Sequence, residues 1–382
     1  MLRSSPARRI FSVALPFLAL AAVVPGCSST SNLGRSDSPK IHASAPSLGE
    51  FPLSDTLWGG PILRNETITS LHFEDDHLFV TTAAGTLWAV SKDGLPRWTT
   101  LALPEPIAYP PASNGRVVAV VSKGDLYCFD RNGGALRLKR RLPFATSARP
   151  ALSTTTGYFP GWDENRVHAV DLTTGSIGWF YRPRGPVSAA PTVAGAPPRE
   201  VLYVASEDGV IAAYEAASAL GPPGVEAWAT SANGANRAAI ATSADDALLL
   251  VASEDSFLYG IDRTSGLKRW AFGAGVALGR TPWAVPGAVY VDTGREFVSL
   301  NSGDGSVRWR LGGSYRFLVR NGGRSYVLSG ADRILVLDDA SGEVLGSFDM
   351  SAYAFFATNT RGDTLYVATR DGRIFALGKK LL

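Results

Sequence analysis

Cysteine, histidine and methionine are scarce in this 382-residue chain, which holds two, four and two of them. Two cysteines cannot build a disulfide framework. The histidines, His42, His72, His77 and His168, include no pair at the spacing a zinc site uses on one strand or helix. No C-x-x-C, phosphate-binding loop or G-x-S-x-G nucleophile elbow is present. A field of one sign is missing too. The 37 basic residues exceed the 34 acidic ones by three, and Arg3, Arg8 and Arg9 lie in a first stretch without acids. Beyond that stretch the charges balance, which argues against nucleic acid as a partner. The one long apolar run, Ile10 to Val24, is short for a membrane span.

What is abundant is glycine, with 40 residues, and proline, with 24. Many fall between short apolar runs, the pattern of an all-β chain with frequent turns. Leu248 to Trp270, LLLVASEDSFLYGIDRTSGLKRW, shows the unit: a strand, a polar turn at Glu254-Asp255-Ser256, a second strand, another turn ending at Gly266, then an outer strand carrying a tryptophan. The same sentence recurs eight times, ending at Ser91, Asp130, Asp171, Glu215, Asp262, Asn301, Asp338 and Gly378. The steps average about 41 residues, and strand-rich repeats of that period make a β-propeller rather than a helical solenoid. The longest step contains the insertion Leu220-Gly221-Pro222-Pro223-Gly224.

Six repeats carry an aromatic in the outer strand: Trp98, Trp179, Trp228, Trp270, Trp309 and Phe348. The second has Leu138 near that place, and the eighth reaches the end of the sequence without an outer strand. Trp58, upstream of the first repeat, has no partner of its own. The sequence therefore predicts an all-β, eight-bladed propeller spanning residues 52–382, closed by an N-terminal strand that completes the last blade.

The N-terminus reads as targeting sequence. Val24-Pro25-Gly26-Cys27, after a basic and then an apolar region, resembles the lipobox of bacterial lipoproteins. Residues 1–26 are then a signal peptide, Cys27 is the lipidation site, and 27–51 is a tether. Ser28 to Glu50, rich in Ser, Pro and Gly, would span about 25–30 Å. Arg8-Arg9-Ile10-Phe11 also resembles a twin-arginine core, although the apolar stretch suits the general route better. Ser28 after the lipidated cysteine implies, by resemblance, the outer membrane and its periplasmic side.

The repeat pattern in Leu202–Glu215, Leu249–Trp270 and Leu365–Leu377 resembles the pyrroloquinoline-quinone-type propeller repeat. Together with the lipobox, tether and blade number, it resembles the BamB family of outer-membrane lipoproteins. The resemblance implies a non-catalytic scaffold of the β-barrel assembly machinery, without cofactor, monomeric within its complex. The implied partners are the barrel-inserting subunit and unfolded outer-membrane proteins, bound by loops between middle blades. Arg182, Arg184, Asn233 and Arg237 lie in comparable regions and are the candidate partner-binding residues. Two other classes stay open: an envelope propeller binding a glycan or other ligand, and a quinoprotein. The quinoproteins it resembles carry adjacent cysteines, whereas Cys128 stands alone.

Other features have structural readings. Cys128, in the run LYCF, reads as a buried strand thiol. Trp88, Trp162 and Trp283 fall outside the outer-strand register; packing is favoured for them, with exposed or channel-lining positions the alternative. The acidic pairs Asp75-Asp76, Glu207-Asp208, Asp245-Asp246, Glu254-Asp255 and Asp338-Asp339 read as turn residues rather than calcium ligands. Arg137-Leu138-Lys139-Arg140-Arg141 reads as a charged blade edge.

Overall fold

The computed structural model describes residues 51–61, 66–162 and 165–378, so Cys27 and all of the expected tether except Phe51 lie outside the described residues. The described residues form eight four-stranded antiparallel sheets, the blades of a β-propeller, numbered in chain order. Blade 1 runs over residues 68–99, blade 2 over 112–141, blade 3 over 151–181, blade 4 over 192–231, blade 5 over 241–273, blade 6 over 283–312 and blade 7 over 316–349. In blade 5 the strands are Ala241–Thr242, Leu248–Ala252, Phe257–Asp262 and Lys268–Gly273, from the innermost outward. Blade 8 takes three strands from the C-terminal end, Phe355–Ala357, Leu365–Ala368 and Arg373–Gly378. Its outer strand is Asp55–Pro61, paired antiparallel from Asp55 opposite Gly378. The N-terminal closure expected from the unpaired Trp58 is present.

Burial follows position within a blade. The second strand of blade 5 is buried at every residue, because a neighbouring blade covers each of its faces; continuous apolar runs satisfy that position and alternating ones do not. Outer strands alternate, as in Val344–Asp349. The core lies between blades. Leu250 and Leu258 of blade 5 pack with Val289 and Val298 of blade 6 in one cluster, so no blade buries its own surface alone.

The outer-strand tryptophans fasten these seams by one repeated bond. Each indole N–H donates to a backbone carbonyl of the following blade: Trp98 to Arg131 at 2.7 Å, Trp179 to Ser218 at 3.0 Å, Trp228 to Arg263 at 3.1 Å, Trp270 to Ser302 at 3.1 Å and Trp309 to Asp339 at 2.9 Å. A glycine often lies beneath the ring. Gly266, with φ +73°, would place a Cβ 2.6 Å from Trp228, so both its conformation and its missing side chain are required.

Two blades break the pattern. Leu138 opposes Cys128, the register of Trp270 opposite Gly260, and has no N–H to offer. In blade 7 the aromatic is not in register: Gly346 opposes Val336 while Phe348 opposes Ile334. Phe348 turns instead to Phe51, with ring centroids 5.2 Å apart. The chain entering blade 8 occupies that seam, and Phe51 and Leu53 are buried there.

Candidate interaction face and central channel

Antiparallel pairing puts the connections between blades, and the turns between each blade's second and third strands, on one face. On this linker face, blades 3, 4 and 5 share a hydrogen-bonded surface. The segment after Tyr181, the end of blade 3, accepts a bond at Pro186 O from Glu207 N at 2.9 Å. Glu207 belongs to a turn of blade 4 shaped by Asp208, which accepts from Ser206 Oγ at 2.5 Å. Asn236, in the connection to blade 5, is buried and donates from Nδ2 to Ser206 O at 3.3 Å. Asn233 N then donates to Asp255 Oδ2 at 2.8 Å, and Tyr259 OH to the same oxygen at 2.7 Å. Two connections and two turns thus form one surface.

The four candidate residues have different roles on it. Arg182 and Arg184 are exposed, and the Arg182 guanidinium lies 5.7 Å from the centre of the Phe180 ring. Asn233 contributes its backbone and leaves its side chain exposed. Arg237 is clamped, donating to Glu254 at 2.5 Å and Glu207 at 2.8 Å. It ties blade 4 to blade 5 and has its charge answered within the fold. Two exposed aromatics also belong to blade 3. Phe180 is 39% exposed and has Arg166 over its ring at 4.4 Å. Trp162 is 65% exposed, where packing is the favoured expectation and exposure the alternative. Exposed aromatics beside arginines are the usual composition of binding hot spots.

The acidic pairs split. Asp75 and Asp76 adopt positive φ in a turn as expected, while Asp339 is buried and joins blades 6 and 7. It accepts from Ser325 at 2.6 Å, from Arg308 at 3.1 Å and from Tyr290. Burial pushes its pKa up, but these donors outweigh that and hold it below the ordinary range. Among the described residues no group of His, Cys, Asp and Glu is arranged to hold a metal ion.

Residues 20–150, 124–220 and 217–316 match the family model described as outer membrane protein assembly factor BamB. The chain belongs to this family. No curated protein matches it. Among solved structures, the crystal structure of BamB from Moraxella catarrhalis is 16% identical, with a TM-score of 0.65 over 85% of this chain and 99% of that one. A computationally designed protein, Ika8, is 14% identical, with a TM-score of 0.61 over 83% and 97%. Quinohemoprotein alcohol dehydrogenase from Comamonas testosteroni is 12% identical, with a TM-score of 0.60 over 86% and 77%. At such identities the structural likenesses speak to the fold, which scaffolds, designs and enzymes share.

The BamB-type ring also encloses a channel. Inner strands of blades 1, 5, 6, 7 and 8 line a cavity of about 820 Å³ that includes Leu71, Trp283, Arg316 and Phe356. Trp283 is half-buried, packs 6.3 Å from Phe297 and borders this space. Trp88 is also half-buried, against the blade 1 core. Of the three out-of-register tryptophans, Trp88 packs, Trp283 both packs and lines the channel, and Trp162 is exposed.

Proposed function

We propose that this protein is a non-catalytic scaffold of outer-membrane β-barrel assembly, anchored by a lipid at Cys27 on the periplasmic side. Residues 1–26 are its signal, 27–51 its tether and 52–382 its propeller. The family match over residues 20–316 is the observation that carries this reading. Partner recognition uses the linker face of blades 3 to 5. Arg182 and Arg184 offer exposed charge there, Trp162 and Phe180 offer apolar anchors, and Arg237 holds the neighbouring loops in place. A pre-ordered surface binds without the cost of ordering loops. The partners are the barrel-inserting subunit and unfolded outer-membrane proteins.

Turnover is not part of the proposal. The dehydrogenase likeness is one of fold, and Cys128 is the only cysteine besides Cys27, so the adjacent pair of the quinoproteins is missing. The test is a mild-detergent pull-down of the tagged protein from its own outer membrane, with Cys27→Ser as the unanchored control. Recovery of the barrel-inserting subunit is expected. Recovery of unrelated envelope proteins alone would sink the assembly reading and leave a ligand-binding propeller.

A further inference from the structure

The central cavity holds a cation without a counter-charge. Arg316 opens the inner strand Arg316–Asn321 of blade 7 and gives one N–H to Phe356 O at 2.7 Å. The acids nearby are engaged elsewhere. Asp246 pairs with Arg263 at 2.6 Å and Asp75 with Arg361 at 3.6 Å. Glu74 is held by Arg149, with His72 at 3.5 Å. Among the described residues Arg316 has no ion pair. It is open to the cavity yet ringed by protein, and the loss of solvation lowers its pKa. His72 also lines the cavity, but its Nε2 faces Glu74 and leaves Arg316 as the group open to an anion. A guanidinium in such a place attracts an anion, and its forked donors match a carboxylate.

The rest of the lining is apolar in part: Leu71, Pro282, Trp283 and Phe356. The volume, about 820 Å³, falls in the range of small-molecule sites. We propose that the channel binds a small organic carboxylate, its charge on Arg316 and its apolar body against Trp283 and Phe356. One uncompensated cation suits a single negative charge better than a phosphate dianion. This site is independent of the linker face and of the scaffold reading.

The test is calorimetric titration of the full-length protein with sodium benzoate, beside benzyl alcohol and inorganic phosphate. Saturable benzoate binding is expected, with the alcohol and phosphate about tenfold weaker or worse. Arg316→Gln should weaken benzoate by a similar factor without lowering the melting temperature, and Arg316→Lys should recover part of the loss. Trp283→Leu keeps the charge and should also weaken binding, which covers the case of an Arg316 variant that fails to fold. No saturable benzoate binding to the wild type would overturn the proposal. So would equal affinity in folded Arg316→Gln, or phosphate binding as well as benzoate.

Discussion

The indole N–H of Trp58 donates to the backbone carbonyl of Lys92 at 2.6 Å. Trp58 stands in the outer strand of blade 8 and Lys92 follows the third strand of blade 1, so this bond joins the last blade to the first. It is the bond that five other tryptophans make between consecutive blades. The N-terminal strand therefore supplies both a sheet partner and the seam fastener of blade 8.

Trp58→Ala should destabilise the propeller by about 3 kcal/mol through lost burial and the lost bond. Trp58→Phe keeps most of the packing and should cost about 1 kcal/mol. Gly94, at φ +82° beneath the ring, should not tolerate alanine, with a loss of about 2 kcal/mol. Urea denaturation midpoints would show these as graded shifts at constant slope; three unchanged midpoints would mean that the ring is closed by backbone pairing alone.

The seam between blades 2 and 3 lacks its fastener. Leu138 contacts Gly175, where a Cβ would lie 3.0 Å from its Cδ1, and gives no hydrogen bond. Leu138→Trp should let an indole reach the carbonyl of Leu172, the counterpart of Arg131 and Arg263, and raise stability by about 1 kcal/mol. The measurement is again the urea midpoint, with Leu138→Phe as the control for added bulk.

Much of this was legible because propeller repeats repeat their constraints. The second and third strands of each blade are covered on both faces, so their apolar runs recur, and a tryptophan without a blade exposed the closure. The displaced aromatic of blade 7 was not legible, since spacing alone does not show that Gly346 takes the register and Phe348 turns to Phe51. Nor was the Arg237 clamp, whose carboxylates come from turns 30 and 17 residues away. The channel was hidden most deeply. Its lining comes from inner strands of five blades that are far apart in sequence, so Arg316 carries no mark that sets it apart from surface arginines.

Asp339→Asn should cost about 3 kcal/mol near neutral pH by leaving Arg308 and Tyr290 with a neutral partner in a buried seam. The carboxylate's folded pKa is depressed. Its contribution is therefore full above the ordinary aspartate range and is lost as pH falls through the lower folded value. The stability gap between wild type and variant should narrow in acid. A gap that stays constant down to strongly acidic pH would contradict this assignment of charge.

Cys128 should be inert while the protein is folded. It is fully buried, and burial pushes its thiol up to about 12, leaving almost no thiolate near neutrality. Maleimide labelling should appear only in denaturant and track the unfolding transition. Fast labelling of the native protein would show that blade 2 opens locally.

In the proposed function, the linker face of blades 3 to 5 meets the assembly partner. The most direct test is photo-crosslinking in the native envelope, with a benzophenone amino acid at Arg184 on that face and, in a second strain, at Thr173 on the opposite face. Crosslinks from position 184 to the barrel-inserting subunit, without the same product from 173, are expected. The same product from both positions, or from 173 alone, would contradict the proposal.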